Sequence, residues 1–345
     1  MAVMNFNKKV KDWQLAYRQR LPLEVKEEMS MHRIARFAEE YGVENVYNSF
    51  SGGKDSTVQK HLIERVTKKV KNVYIDTWLE YPSVRRFVKS CDNVTIIKPQ
   101  KSMREIIKEH GWCFPGKEVA DMIYQARKGS ESALRKLHGL DKNGKPDPYR
   151  AQFTKWIPLY ESDIVISRGC CLEQKEKPVT QFERNFDMHP IVATMADEGE
   201  NRKQAYLRGG CLTFDEEYKI AEDGGMETVK TGSRPMCRPL GFWTEQDILS
   251  YIVKYNLSYA EAYGDIVEEG GIAGQQSFIP GFGKLHCTGE SRTGCCMCPV
   301  GCHLDNFAKF ERLKKVEPKL YDYCMEELDE KRLIEFVKEK VIKKL

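Results

Sequence analysis

The chain has 345 residues and a mass of 40.0 kDa, with 41% hydrophobic residues, 31% charged residues and a net charge of +4. That length accommodates about two domains at ~150 residues each. No run of ~18 apolar residues offers a membrane span, and so small a charge does not by itself argue for nucleic acid.

The first stretch, residues 1–42, reads as helical: Ile34, Phe37, Ala38 and Tyr41 share a face and Gly42 follows as a stop. Met1-Ala2-Val3-Met4 and the residues after it lack an apolar signal segment, so a cytoplasmic setting is expected. Val46 to Phe50 is a short strand, and Ser51-Gly52-Gly53-Lys54-Asp55-Ser56 is a turn. A helix follows with Val58, Leu62, Ile63 and Val66 on one side. Val73 to Asp76 is a second strand, Val84 to Ser90 a helix, and Val94 to Ile97 a third strand. This alternation predicts an α/β fold with a Rossmann-like parallel sheet flanked by helices.

Residues 129–163 break the rhythm around the Lys142 to Pro148 loop and read as an insertion. The alternation resumes with a strand at Pro190 to Thr194 and a helix from Arg202 to Leu207. Thr244-Glu245-Gln246-Asp247 resembles a capping box ahead of a helix through Tyr255. Asp265 to Phe282 is Gly-rich, and Cys287 to Cys302 is cysteine-dense. The last helix spaces Leu333, Val337, Val341 and Leu345 by four, an amphipathic face expected to pack on the body, with nucleic-acid contact as the alternative for its basic side. The expected organisation is a helical segment 1–42, an α/β domain 43–264 carrying the insertion, and a helical, Cys-rich region 265–345.

The glycine turn lies between a strand and a helix. Two glycines let the backbone turn tightly, the helix start adds partial positive charge, and Lys54 adds a full one. Ser51, Ser56 and Thr57 supply hydroxyls. The result is an anion nest suited to phosphate. It is not a Walker A loop, because that motif's first glycine and its Ser/Thr fall on Asn48 and Asp55 here.

The chain has 12 cysteines. Disulfides are rare inside cells, so metal, cluster or redox chemistry is the first reading. Two local patterns stand out: the tandem Cys170-Cys171, and Cys295-x-x-Cys298 within Gly294-Cys-Cys-Met-Cys-Pro-Val-Gly-Cys-His303. A C-x-x-C turn brings two sulfurs together as one metal or cluster demands. Zinc on Cys295, Cys298, Cys302 and His303 is one reading and a redox dithiol another. Cys91 and Cys113 read as small buried hydrophobes. His189 reads as a packing residue.

The turn resembles the PP-loop of adenine-nucleotide α-hydrolases, the N-type ATP pyrophosphatases and their sulfonucleotide-reductase relatives, which have the HUP-type variant of the Rossmann-like sheet. Ile75-Asp76-Thr77-Trp78-Leu79-Glu80-Tyr81-Pro82 is similar to the Asp-Thr-Gly-Leu-Glu-Phe-Pro stretch of the phosphoadenosine phosphosulfate (PAPS) reductase-like branch, with Trp78 in place of glycine. Met195 to Glu198 with Arg202 resembles that branch's second phosphate-side segment, and Gly289 to Cys295 its Arg-Thr-Gly-Cys entry to the cysteines. The resemblance implies an adenine nucleotide, ATP with Mg²⁺, held by Ser51, Gly52, Gly53, Lys54, Asp55, Ser56, Asp76, Thr77, Glu80 and Glu198. Lys54, Asp55, Arg202 and Arg292 are the implied catalytic groups. Helix capping is the alternative role for Asp76 and Glu80, and surface ion pairing for Lys117 and Glu118. The tandem cysteines with the C-x-x-C are similar to the 4Fe–4S pattern of assimilatory sulfonucleotide reductases, which implies Cys170, Cys171, Cys295 and Cys298 as cluster ligands.

An intact loop points to full ATP cleaved at the α–β bond. The reductases' C-terminal Glu-Cys-Gly-Leu/Ile-His motif has no counterpart here. The leading expectation is therefore an adenylating PP-loop enzyme that supports sulfur transfer, with a sulfur-donor protein or thiol as partner and nucleic acid as one acceptor. A homodimer is left open and no membrane is involved. The alternatives are an APS/PAPS reductase and a nucleotide- and cluster-binding regulatory subunit.

Overall fold

A computed structural model of the chain describes residues 10–220, 226–269 and 283–342. The N-terminal Met1-Ala2-Val3-Met4 stretch, residues 270–282 of the Gly-rich stretch and Leu345 lie outside the described residues. The chain divides into two compact units. The first draws on the chain up to Ile75, on Pro82–Ile97 and on Gln181–Thr293. The second comprises Asp76–Tyr81, Lys98–Thr180 and the chain from Gly294 onward.

The strands of the first unit are β1 (Val46–Ser49), β2 (Lys71–Ile75), β3 (Val94–Ile97), β4 (His189–Val192), β5 (Leu212–Thr213), β6 (Glu216–Ile220), β7 (Met226–Lys230), β8 (Met236–Cys237), β9 (Ile266–Glu269) and β10 (Lys284–Cys287). Six form one sheet in the order β3-β2-β1-β4-β8-β5. β1 pairs in parallel with β2 (Asn48 opposite Asn72) and with β4 (Asn48 opposite Ile191). β2–β3 and β4–β8 are parallel too, and only β5 runs antiparallel. The expected α/β, Rossmann-like parallel sheet is present, with an antiparallel edge. β6–β7 and β9–β10 are separate antiparallel pairs. Their short strands carry no clean alternation, and the sequence pattern does not display them.

Val46, Tyr47 and Asn48 of β1 are buried in succession, and because neighbouring side chains point to opposite faces, both faces of the sheet are covered. Val46 joins a core with Ile34 and Phe37 of the helix Leu23–Tyr41, Val58 and Leu62 of the helix Lys54–Val66, and Ile248 and Tyr251 of the helix Glu245–Tyr255. Tyr47 joins a second cluster with Val73, Phe182 and Met188. The Thr244 capping box forms as expected: Thr244 Oγ1 accepts from Asp247 N at 3.3 Å, and Asp247 Oδ2 accepts from Thr244 N at 2.7 Å. His189 packs on Tyr41, with ring centroids 4.2 Å apart.

One buried polar ladder locks the loop's flanks. Gln59 Nε2 donates to Asn48 Oδ1 (2.6 Å) and to Ile191 O (3.0 Å), and Asn48 Nδ2 donates to Asn72 Oδ1 (2.8 Å). The helix after the loop is thereby tied to β1, β2 and β4, while Gln59 Oε1 is buried without a hydrogen-bond partner.

In the second unit, residues 129–163 hold the helix Glu131–Leu137, the short turns Ala151–Trp156 and Ile157–Glu161, and the expected loop around 142–148. The C-terminal helix Glu330–Lys340 buries Leu333 and Val337, and Val341 just beyond it is buried as well. The four-residue stripe is therefore a packing face, as expected.

Candidate functional site

The sheet order reverses at β1. β2 and β3 lie on one side of it and β4 on the other, and ligands of such sheets bind outside the carboxyl ends of the strands at that point. The glycine turn follows β1 there, and Met195–Arg202 follows β4.

Gly52 is required twice. Its φ is +72°, and a Cβ would lie 2.5 Å from Val88 Cγ2 and 2.9 Å from Val84 Cγ1. Gly53 caps the helix Lys54–Val66 from extended backbone, and a Cβ there would reach Tyr263 Oη at 3.0 Å. The turn's donors are held by hydroxyls. Ser51 N donates to Ser56 Oγ (3.2 Å), Gly53 N to Ser51 Oγ (3.3 Å) and Lys54 N to Tyr263 Oη (3.2 Å). These contacts are long for neutral hydrogen bonds, and an anion seated in the nest would replace them with stronger ones.

Lys54 is 3% exposed. Its Nζ donates to Ser291 O (2.6 Å), pairs with Glu245 Oε1 (3.1 Å) and sits 5.2 Å from the Tyr263 ring centroid. Burial by itself disfavours the ammonium, yet Asp55, Tyr263 and Glu245 hold its pKa above the ordinary value. Asp55 behaves in the opposite way. Burial pushes its carboxyl up to about 6, Lys54 and Arg292 pull it down, and Glu198 and Glu245 add to the rise. Asp55 Oδ1 is buried with no hydrogen-bond partner.

Glu198 folds back, its Oε1 accepting from Met195 N at 2.7 Å and its Oε2 lying 3.6 Å from Arg202 Nε. Arg292 Nη2 donates to Glu198 O at 3.2 Å. A pocket of about 220 Å³ on this side is lined by Thr194, Met195, Arg202 and Arg238, among others. The first unit thus holds Ser51 to Ser56, Glu198, Arg202 and Arg292, with Glu198 contacting both arginines. Tyr263, Glu245 and Arg238 were not singled out in the sequence, and nothing in their local pattern marks them.

A Mg²⁺ of a nucleotide complex takes one or two carboxylates plus phosphate oxygens and water. The orphaned Asp55 Oδ1 beside the Glu198 charge fits such an ion.

Asp76, Thr77 and Glu80 belong to the second unit. All three are buried. Asp76 Oδ1 accepts from Trp78 N (3.2 Å). Glu80 accepts from Thr77 N (3.2 Å) and Thr77 Oγ1 (2.7 Å). Asp76 and Glu80 therefore hold a local turn ahead of the helix Pro82–Ser90. Trp78 has φ 65°, a left-handed conformation that glycine would adopt freely. Lys117 and Glu118 are in surface ion pairs, with Glu176 (3.2 Å) and Lys136 (2.6 Å).

The second unit also holds the cysteines. Cys170 and Cys171 lie in a helical turn, Gly169–Cys171, that runs into a wider π-type turn, Leu172–Glu176. Such turns are frequent at functional sites. Burial raises the Cys170 thiol well above its ordinary range, and the charges of Cys171, Cys295 and Cys298 add to it. Burial likewise lifts Cys298 to about 11, with Cys295 the next contributor. Cys298 N donates to Cys295 O at 3.0 Å in the C-x-x-C turn.

Cys113 is a correction. It is 2% exposed, as a packing thiol would be, yet its thiol hydrogen-bonds Cys171, which lowers Cys171 and raises Cys113. Lys175 is a second addition. The Cys295 charge leads in raising its pKa, burial opposes, and Glu80, a hydrogen bond to Cys295 and Cys298 add to the rise. Four residues past a tandem Cys-Cys in a helix, Lys175 stands one turn beyond Cys171, and that spacing was the available signal.

Among the described residues no three His, Cys, Asp or Glu side chains meet at metal-ligand spacing. That holds for the four-cysteine set and for the local zinc set alike. Cys170, Cys171, Cys295 and Cys298 influence one another electrostatically with a lysine among them, which suits a thiolate-bound cluster. His303 is wedged edge-on against Phe114 and Trp156, at 5.5 and 5.1 Å between centroids, and the local zinc set is not assembled around it.

Residues 45–143 match the phosphoadenosine phosphosulfate reductase domain family. No curated protein matches the chain. Among solved structures it is similar to the phosphoadenylyl-sulfate (PAPS) reductase of Candida auris in its phosphate complex, at 15% identity and a TM-score of 0.35, over 74% of this chain and 92% of that one. Among the described residues no helix is long and apolar enough to cross a membrane.

Proposed function

We propose that this chain, which carries a phosphoadenosine phosphosulfate reductase domain match over residues 45–143, is an adenylating PP-loop enzyme that supports sulfur transfer. The observation that carries the reading is the intact, charge-equipped nucleotide turn: Lys54 held cationic, and the orphaned Asp55 Oδ1. A site for a nucleotide with both β- and γ-phosphates needs a cation and a metal-holding carboxylate at its loop.

In this mechanism the backbone N–H groups of Ser51, Gly53 and Lys54 exchange their hydroxyl acceptors for phosphate oxygens. Lys54 and Arg292 meet the charge that builds as the α–β bond breaks. Arg202 serves the same side from the helix Glu200–Gly209. Asp55 would hold a Mg²⁺, which would supply neutralising charge for the departing pyrophosphate. An acceptor oxygen attacks the α-phosphorus, pyrophosphate leaves, and the acceptor carries AMP. A sulfur nucleophile then attacks the activated atom, the new bond to sulfur forms, and AMP departs with the oxygen and its electron pair. Cys170, Cys171, Cys295 and Cys298 would hold a 4Fe–4S cluster, which, with all four irons ligated by cysteine, would supply electrostatic stabilisation near the transferred sulfur rather than an open coordination site. The hydrogen bond with Cys113 favours thiolate at Cys171, while burial favours the neutral thiol at Cys170 and Cys298.

The family match favours a second reading, reduction of a sulfonucleotide to sulfite and AMP or 3′,5′-ADP with electrons from a thiol. One experiment separates the two. The protein is incubated anaerobically with α-phosphate-labelled ATP, and in parallel with labelled PAPS. AMP plus pyrophosphate from ATP, abolished in Lys54→Ala, supports adenylation. Sulfite from PAPS at a comparable or greater rate overturns it.

A further inference from the structure

The C-x-x-C turn is held by a side chain that the chemistry above does not use. Lys309 Nζ donates to Cys295 O at 3.0 Å and to Cys298 O at 3.4 Å, so one ammonium bridges the carbonyls of both cysteines. The turn's own bond, from Cys298 N, ends on the first of those carbonyls, and the Cys302 thiol donates to the second at 3.4 Å.

Three further observations set this lysine apart. First, Lys309 is the second residue of the helix Ala308–Val316, the end at which the helix dipole disfavours a cation. Second, two successive left-handed residues lead into that helix, Asn306 at φ 52° and Phe307 at φ 63°. A bulky aromatic residue in that region is an outlier that the surrounding structure must over-determine, and such strain clusters at functional sites. Third, burial raises the thiols of Cys296, Cys298 and Cys302, and the Lys309 charge pulls each of them back down. The same charge opposes the burial of Glu330, a carboxyl with neither oxygen hydrogen-bonded.

Thiolates gathered on one metal centre leave it with net negative charge, and net charge and hydrogen bonding around the sulfurs set how tightly and at what potential such a centre is held. We propose that Lys309 is a positioning residue of the cysteine centre: its two hydrogen bonds fix the C-x-x-C turn, and its charge offsets the negative charge that bound thiolates bring. The inference deepens the reading of Cys170, Cys171, Cys295 and Cys298 as cluster ligands. It rests on that reading for the identity of the metal group and not for the role of the lysine.

In the test, the full chain and its variants are loaded anaerobically with iron and sulfide. Three quantities are read: iron per chain, the rate at which a chelator bleaches the thiolate-to-iron absorption, and the reduction potential. Lys309→Met removes both hydrogen bonds and the charge. Its bleaching is expected to be about tenfold faster, as for the loss of an outer-shell partner, and its potential more negative. Lys309→Gln keeps a donor without the charge, so its bleaching stays nearer that of the unchanged protein while its potential falls as far as that of Lys309→Met. Lys309→Arg keeps donors and charge and restores both readouts. Lys315→Met, which removes an exposed charge from the same helix, changes neither. The proposal is overturned if Lys309→Met loads and bleaches as the unchanged protein does, or if Lys309→Gln keeps the unchanged potential. If the unchanged chain takes up no iron, the cluster reading fails, and the same variants are titrated with Co²⁺, whose thiolate charge-transfer absorption reports the cysteines. A Co²⁺ affinity about tenfold weaker in Lys309→Met then supports the lysine's role; an unchanged affinity, or no Co²⁺ bound by any form, overturns it. Lys54→Ala leaves all of these quantities unchanged, which keeps the adenylation chemistry and the cysteine centre separately testable.

Discussion

Replacing Asp55 by asparagine is expected to make the protein more stable and, on the adenylation proposal, less able to use ATP, and the two effects separate by pH. In the folded chain burial lifts the Asp55 carboxyl from its ordinary 3.8 to about 6. At ~1.4 kcal/mol per pH unit that is about 3 kcal/mol of cost for carrying the charge at neutral pH. Solvent reaching the partly buried side chain screens some of it, which leaves about 2 kcal/mol. A folded-state pKa above the unfolded one means that the folded chain binds the proton more tightly. The stabilisation is present below about pH 4 and is lost as pH rises through about 6. Asparagine cannot ionise and has nearly the same shape. In urea titrations with EDTA present, Asp55→Asn is therefore expected to gain about 2 kcal/mol at pH 7.5 and almost nothing at pH 4. A variant equally or less stable at pH 7.5 would mean that Asp55 is solvated or paired in the folded chain, and the argument for a vacant cation ligand would fail with it. The same variant should lose Mg²⁺-dependent turnover of ATP, because the carboxylate that is costly in the apo protein is the one the ion needs.

Gly52→Ala combines left-handed strain with overlap against two fully buried valines. It should destabilise by about 2–5 kcal/mol in chemical denaturation, and Gly52→Ala/Val88→Ala should recover part of that; a loss under ~0.5 kcal/mol would refute the close approach. Lys26 is 1% exposed and donates to Asp247 at 2.6 Å and Gln19 O at 2.7 Å. Lys26→Met leaves the carboxylate, still hydrogen-bonded by Thr244, without its counter-charge and should cost about 3–5 kcal/mol, whereas Lys26→Met/Asp247→Asn, which keeps an acceptor for Thr244, should lose much less. Glu330 is fully buried, neither oxygen has a hydrogen-bond partner, and burial raises its pKa far above the ordinary value against the pull of Lys309 alone. Its stabilisation too is lost as pH rises, so Glu330→Gln should raise the melting temperature more at pH 8 than at pH 5; a fall at pH 8 would show the carboxylate to be paired.

Local chemistry was legible along the chain. Strand β1, the glycine turn and the helix after it form one continuous stretch, so hydrophobic period, glycine content and capping charge report them together. The same holds for the Thr244 capping box and for Cys295-x-x-Cys298, whose members are three residues apart. The site's long-range members were not legible. Tyr263 reaches Lys54 N across 209 residues, and a tyrosine after Ala-Glu-Ala carries no mark of that. Cys113 looks like any buried thiol until the fold lays it on Cys171. Gln174 looks like a solvated helix residue until burial leaves its Oε1 without a donor.

What the sequence by itself determined is therefore an α/β sheet with a glycine turn between strand and helix and two cysteine pairs. These depend on spacing within single elements, where the backbone's own geometry sets which side chains are neighbours. The tertiary structure alone decided which residues surround those motifs. Lys54 is cationic because Asp55, Tyr263 and Glu245 converge on it, and Asp55 is costly because burial outweighs Lys54 and Arg292. Burial, and with it the strength of every charge and the cost of every unpaired polar atom, is a property of chain segments brought together from far apart, and no single element carries it.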